Sequence, residues 1–269
     1  MQDLKNAPIG IFDSGIGGLT VAKAVVEALP NEDIIYFGDT ARVPYGIKSE
    51  ETVRTYALQI TNFLIKRGVK MILIACNTVS ASAKEEIIQA AGDIPVLDVI
   101  TAGTKSAVLL PNHRNIGVIG TLATVNSRAY VEAIHAFDTT IKVNQQACPM
   151  LVPLAEEGWI DNDVAIQTLR HYLDHFDDSG IQSLILGCTH YPLFKKVIPK
   201  ILKNNGVEII DSADSIAGSA KAKLQELDLL NVSGGDFQCF VSDRPQRFHE
   251  VAERFLGRRP SGVEVVVLD

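Results

Sequence analysis

The chain has 269 residues, 46% of them hydrophobic and 21% charged, with a formal net charge of -7, enough apolar material for one large core or two smaller ones. This acidic balance excludes the basic footprint of direct, sequence-independent nucleic-acid binding. No apolar run approaches the roughly 18 to 20 residues of a membrane span, and the opening MQDLKNAPIG lacks the charged and apolar regions of a signal peptide, so the expected location is the cytoplasm.

IGIF at 9–12 reads as a strand, followed by a helical run from Gly18 to Leu29 and a second strand in DIIYFGDT. From Ser49 to Arg67, Val53, Tyr56, Ala57, Ile60, Phe63 and Leu64 recur at three- and four-residue spacing, which predicts one buried helical face, with Gly68 as its terminator. MILIA, a helical run over about 80–91, the apolar run PVLDVI, a helix ending before Pro111 and NIGVIG continue the alternation. The pattern is α/β. Near-continuous apolar strands point to mostly parallel sheets covered by helices, and in such sheets ligands sit outside the carboxyl ends of the strands.

The chain also repeats. ILIACNT (72–78) and LILGCTH (184–190) each deliver a cysteine to a strand end, Cys76 and Cys188, 188 − 76 = 112 positions apart. IGIFDSG and IGVIGT begin at Ile9 and Ile116, 116 − 9 = 107 positions apart. Matched offsets predict two pseudo-symmetric lobes, one of residues 1–100 and one of 101–211. Residues 212–269 are too few for a third typical domain and are expected to pack back on one lobe, here the first.

FDSGIGG (12–18) is a strand end with a glycine-rich turn opening a helix, where backbone N–H groups can approach a ligand. Thr20 occupies the place where a dinucleotide fingerprint needs Gly or Ala, which weakens that reading. Asp13 reads alone as a helix cap and, beside the cysteine-bearing strand ends, as a supporting acid or substrate clamp. GDTARVPYG (38–46) supplies Asp39, Thr40, Tyr45 and Gly46 in what is otherwise a surface turn. His190 reads as a thiol partner or a cap, and Glu156, in PLAEEGW, as a loop carboxylate after the sixth strand that either approaches the second cysteine or is solvated.

Four cysteines without a C-x-x-C pair argue against a zinc ribbon or dithiol redox motif. Cys148 and Cys239 are expected to be structural. A lone strand-end cysteine is usually a small hydrophobe; two at equivalent ends, each at the expected start of a helix that lowers a thiol's pKa, call for a chemistry that uses both. Removing a proton from one face of a carbon and returning one to the other face is such a chemistry. A nucleophilic hydrolase leaves the second thiol unexplained.

With these residues in view, GIFDSGIGGLTV, YFGDTARVPYG, ACNTVSA, GVIGT, PLAEEG, LGCTHYPL and VSDRPQRF, in that order, the chain resembles the glutamate racemases of the cofactor-independent aspartate/glutamate racemase family along essentially its whole length. The resemblance implies an active site in the cleft between the lobes. Cys76 and Cys188 would be the bases for D- and L-glutamate, with Asp13 assisting Cys76, and Glu156 and His190 assisting Cys188. The implied glutamate pocket consists of Asp13, Ser14, Tyr45, Gly46, Asn77, Thr78, Thr121, Thr189 and His190, with Asp39 behind it. The resemblance further implies no cofactor, no metal, a homodimer, and D-glutamate supply for peptidoglycan. Because eight residues precede Ile9, activation through an N-terminal extension, a feature of some relatives, is not expected. An aspartate-specific racemase, a two-lobed amino-acid binding protein, and a secondary interaction with DNA gyrase remain as alternatives.

Overall fold

Hydrophobic runs bounded by glycine and polar residues become parallel strands because helices cover both of their faces. The computed structural model describes residues 2–204 and 206–268. Its strands are β1 (Ile9–Asp13), β2 (Ile34–Gly38), β3 (Met71–Ile74), β4 (Val96–Asp98), β5 (Asn115–Gly120), β6 (Lys142–Ala147), β7 (Ser183–Gly187), β8 (Glu208–Asp211), β9 (Phe237–Val241) and β10 (Glu264–Val265). They form a six-stranded sheet, ordered β10-β9-β2-β1-β3-β4, and a four-stranded sheet, ordered β6-β5-β7-β8. All described pairings are parallel.

The sequence repeat is visible in this topology. β2-β1-β3-β4 and β6-β5-β7-β8 are the same order shifted by four strands, and β3 and β7 lead into the two cysteines. The last strand of each unit also ends alike. Asp98 caps the helix Val99–Val108 by accepting from Thr101 N, and Asp211 caps Ser212–Glu226 by accepting from Ala213 N. Each receives a lysine, Lys84 on Asp98 at 2.9 Å and Lys195 on Asp211 at 3.3 Å.

The predicted helical face over Ser49–Arg67 forms the helix Glu50–Lys66, capped by the Ser49 hydroxyl, with Val53, Ala57, Ile60 and Leu64 buried. Tyr56 and Phe63 pack partly buried against the same core. Burying each of the large aliphatic side chains contributes about 1.5–3 kcal/mol. Gly68 follows with φ of 73°, the left-handed conformation that closes helices with glycine. The apolar run PVLDVI is only partly a strand: Asp98 ends β4 by capping, and Val99 and Ile100 are already helical. Apolarity alone did not mark that boundary.

The C-terminal segment adds β9 beside β2 and β10 beside β9. At the far end of these strands from the cysteines, buried Lys70 Nζ reaches Glu32 Oε2 at 2.5 Å and donates to the carbonyls of Lys5 and Leu229. Removing one partner of such a buried pair strands a charge, at a cost of about 3–5 kcal/mol. The helix Ser212–Glu226 leaves β8 of the second sheet yet packs on Leu19–Ala28 of the first, and on Val99–Val108. Among the described residues, no helix is long and apolar enough to cross a membrane.

Candidate active site

Parallel order with helical crossovers sends the C-terminal ends of β1, β3, β5 and β7 toward a common cavity of about 200 Å³. This lies below the roughly 300–1,000 Å³ of drug-sized pockets and suits a small metabolite. Ser14, Tyr45, Gly46, Cys76, Asn77, Thr78, Thr121, Cys188, Thr189 and His190 all line it, so ten of the residues singled out from sequence meet in one place. Asp13, Asp39 and Glu156 stand behind its wall and reach it through other side chains.

On one side, Cys76 is the N-cap residue of the helix Asn77–Ala91. Its Sγ lies 3.4 Å from Ser14 Oγ. Asp13 is buried at the end of β1, with Oδ2 accepting from Gly18 N at 2.9 Å and Gly15 N at 3.3 Å, while Oδ1 has no hydrogen-bond partner among the described residues. Burial pushes the Asp13 carboxyl above its usual range, against the opposing charge of His190 and the bonds from Gly18, Ser14 and Cys76. Burial, followed by the Asp13 charge, pushes the Cys76 thiol up to about 12. The expectation that its helix start would lower this thiol's pKa is therefore overturned: desolvation outweighs the helix terminus.

On the other side, Cys188 leads through Thr189 and His190 into a short 3-10 turn, Tyr191–Phe194, so the expected helix start exists only in this abbreviated form. Cys188 Sγ lies 3.9 Å from His190 Nδ1, and His190 Nε2 is 3.0 Å from Glu156 Oε1. The His190 ring also meets the Phe255 ring edge-on, 5.2 Å between centroids. Burial disfavours the imidazolium, but its bonds to Cys188 and Glu156 and their charges prevail and hold His190 up to about 10. Burial likewise opposes ionisation of Glu156, and His190 and Arg247 overcome it, leaving that carboxyl below its usual range.

Glu156 does not lie in a loop, as the sequence reading placed it. It occupies the last turn of the helix Leu151–Glu157. The run PLAEE has no strong helix start of its own, but the buried Leu151, Leu154 and Ala155 recur at helical spacing, a periodicity too short to read with assurance from seven residues.

Asp39 is fully buried and organises the loop that carries Tyr45. Its Oδ2 accepts from the Tyr45 hydroxyl and, at 2.7 Å, from Arg42 Nε, while Oδ1 accepts from Ser242 Oγ at 2.7 Å. Burial, then the Asp39 charge, drives the Tyr45 phenol far above its ordinary value, so Tyr45 meets the cavity as a neutral hydroxyl. Sequence reasoning missed Ser242 and the apolar lining residues Val43, Pro44, Ile47, Leu122, Pro149, Val152 and Pro153. Val43, Pro44 and Pro153 fall inside quoted motifs, but apolar side chains carry no chemical signature that separates wall from core.

The two sides are joined by Thr78 Oγ1 and Thr121 Oγ1 at 3.4 Å. Among the described residues, Asn77 Nδ2 is buried without a hydrogen-bond partner, a side-chain donor left for a bound molecule. Cys148 and Cys239 are buried free thiols that do not line the cavity, and burial pushes both up, Cys239 to about 12. Among the described residues, no three His, Cys, Asp or Glu side chains converge as a metal site. The arrangement places two sulfurs on one small cavity, one backed by a carboxyl and the other by an imidazole and carboxylate.

Known proteins similar to this chain include racemases. The Asp/Glu/Hydantoin racemase family matches residues 9–220. The chain is 47% identical over 266 residues to the glutamate racemase of Neisseria meningitidis serogroup C, covering 98% of each. It is 49% identical over 262 residues to that of Chlorobaculum parvum, covering 97% of this chain and 96% of the relative. The crystal structure of glutamate racemase from Francisella tularensis in complex with D-glutamate superimposes with a TM-score of 0.93 at 45% identity, covering 98% of this chain and 99% of that one.

Proposed function

This chain belongs to the Asp/Glu/Hydantoin racemase family, and from that membership we infer that it is an enzyme interconverting L- and D-glutamate by two-thiol acid/base chemistry at the α-carbon. The observation that carries the reading is that Cys76 and Cys188, at equivalent ends of two repeated sheets, line the same cavity.

With L-glutamate bound, Cys188 takes the α-proton as a thiolate, and the electron pair of the C–H bond passes to the α-carbon and its carboxylate. Cys76, which its raised pKa keeps as a thiol at neutral pH, gives its proton to the opposite face and leaves as thiolate. D-glutamate reverses each step. His190, beside Cys188 and bonded to Glu156, holds or returns the proton on that side, and Asp13 does so for Cys76. Ser14, Tyr45, Gly46, Asn77, Thr78, Thr121 and Thr189 hold the substrate. The unpartnered Asn77 amide and the threonine hydroxyls stabilise the charge that develops on the carboxylate, because fixed donors in a water-poor cavity act strongly on it. Those donors are what the reaction requires in place of a cofactor.

Closure of residues 1–100 with 212–269 against 101–211 would exclude water from that charge. By the family resemblance the enzyme works in a bacterial cytoplasm as a homodimer and supplies D-glutamate to peptidoglycan. The net charge of -7 supports a small-molecule partner over nucleic acid.

The test is incubation of purified protein in deuterium oxide with a panel of amino acids and no added cofactor. Solvent deuterium is expected at the α-carbon of both glutamate enantiomers as racemisation proceeds. Binding without exchange would reject catalysis, and faster exchange with aspartate would reject the substrate assignment.

A further inference from the structure

Thr20 stands where a dinucleotide-binding turn carries glycine or alanine, and the reaction above makes no use of it. Its Oγ1 lies 3.0 Å from the Gly17 carbonyl oxygen and 3.0 Å from that of Thr189. One hydroxyl proton is thus shared between its own turn and the residue that follows Cys188. The two loops meet without slack, since a Cβ on Gly17 would fall 2.3 Å from Thr189 Oγ1 and 2.5 Å from His190 Nδ1. The glycine permits the approach and the threonine fixes it.

The other half of the molecule has a counterpart. The Tyr130 hydroxyl, fully buried, donates to Asn77 Oδ1 at 2.8 Å, and Asn77 is the residue that follows Cys76. Tyr130 lies in the helix Ala129–Phe137, in the helical connection after β5, and Thr20 lies in Leu19–Ala28, after β1. Each bond therefore runs from the connection after the first strand of one repeat to the residue after the cysteine of the other. By occupying Oδ1, Tyr130 also decides which end of the Asn77 amide is free, leaving Nδ2 unpartnered.

We propose that Thr20 and Tyr130 are a matched pair of positioning residues, Thr20 holding the Cys188 loop and Tyr130 the Cys76 loop, each from the opposite lobe. Neither transfers a proton. Each ties a reacting sulfur to the lobe that carries the other one, so that the two sulfurs keep a common frame. The effect on turnover rests on the two-thiol reading, while the effect on the loops does not.

The experiment measures the iodoacetamide modification rates of Cys76 and Cys188 separately, by peptide mass analysis, together with the racemisation rate. Thr20→Val should change Cys188 modification by about two- to tenfold, the worth of one hydrogen bond, with Cys76 changed less, and Thr20→Ser should restore the parent rate. Tyr130→Phe should change Cys76 instead. Racemisation should fall by a similar factor in Thr20→Val and Tyr130→Phe. If Thr20→Val does not fold, Thr20→Ala removes the same hydroxyl without the added methyl and carries the same expectation. Rates that change together at both cysteines, that change at neither, or that change selectively with turnover untouched overturn the proposal. Full racemisation by Cys76→Ala or Cys188→Ala would instead reject the two-thiol reading, leaving the modification pattern to be judged by itself.

Discussion

The halves of the site are built on the same strand order and finished with different chemistry. Cys76 follows β3 into a helix of fifteen residues and has a buried carboxyl and a serine for company. Cys188 follows β7 into a 3-10 turn and has an imidazole backed by Glu156. The repeated topology delivers two sulfurs to one cavity, and the unlike neighbours make the two sides hold their protons differently. A thiol pushed up to about 12 keeps its proton at neutral pH on one side, while the other carries its proton on nitrogen, at about 10. On the two-thiol reading this inequality supplies the thiol that turnover from L-glutamate requires, and turnover from D-glutamate begins with the roles exchanged.

The strongest way to break the comparison is to delete each sulfur. Cys76→Ala and Cys188→Ala should each lower racemisation by about 10²- to 10⁴-fold or more, the scale of a general acid or base, with circular dichroism unchanged. Because the enantiomers have equal free energies, kcat/KM must fall by the same factor in both directions for either variant. Appreciable turnover by one of the two would mean that the halves are not partners in one step.

The neighbours should separate what the sulfurs cannot. Activity that depends on the His190 imidazolium is present below its pKa and lost as pH rises through about 10. Glu156→Gln removes one of the charges that raise this pKa, so the alkaline limb of kcat/KM should move to lower pH, with a loss of about tenfold at neutral pH, the scale of a charge-assisted hydrogen bond. Asp13→Asn should move that limb less, because Cys188 and Glu156 are the groups that raise His190. Equal displacement of the limb in both variants would erase the distinction between the sides.

Much of this was legible in the sequence because the site is made of strand ends. Apolar runs fix where strands stop, and polar residues just beyond them, such as Asn77–Thr78 and Thr189–His190, fall at a common edge by topology alone. Three things were not legible. The helix around Glu156 is too short for its period to show. The direction in which Cys76 titrates depends on burial by residues far away in sequence, not on its position at a helix start. The bonds of Ser242 to Asp39, Thr20 to Thr189 and Tyr130 to Asn77 span 203, 169 and 53 positions, and no local pattern encodes them.

The repeat extends beyond the cysteines to Asp98 and Asp211, and here the comparison turns on a smaller energy. Both cap a helix and both take a lysine. Asp211, however, has Asp214 as well as Lys195 nearby, and burial, which outweighs the lysine, leaves its carboxyl above the ordinary value of 3.8. A group whose folded pKa is raised stabilises fully below its unfolded pKa and loses that contribution as pH rises through the folded pKa. Ionised Asp211 is thus a cost to the folded state at neutral pH. Asparagine caps a helix about as well as aspartate and does not titrate. Asp211→Asn should therefore leave urea stability unchanged below about pH 3.8, the ordinary carboxyl value, and raise it slightly at pH 7. Asp211→Ala loses the cap and should destabilise by about 0.5–2 kcal/mol. A drop in stability at pH 7 for Asp211→Asn would mean that the Lys195 pair, whose lysine is 41% exposed, outweighs desolvation. The second capping site would then be held by its ion pair, contrary to the small worth of exposed pairs.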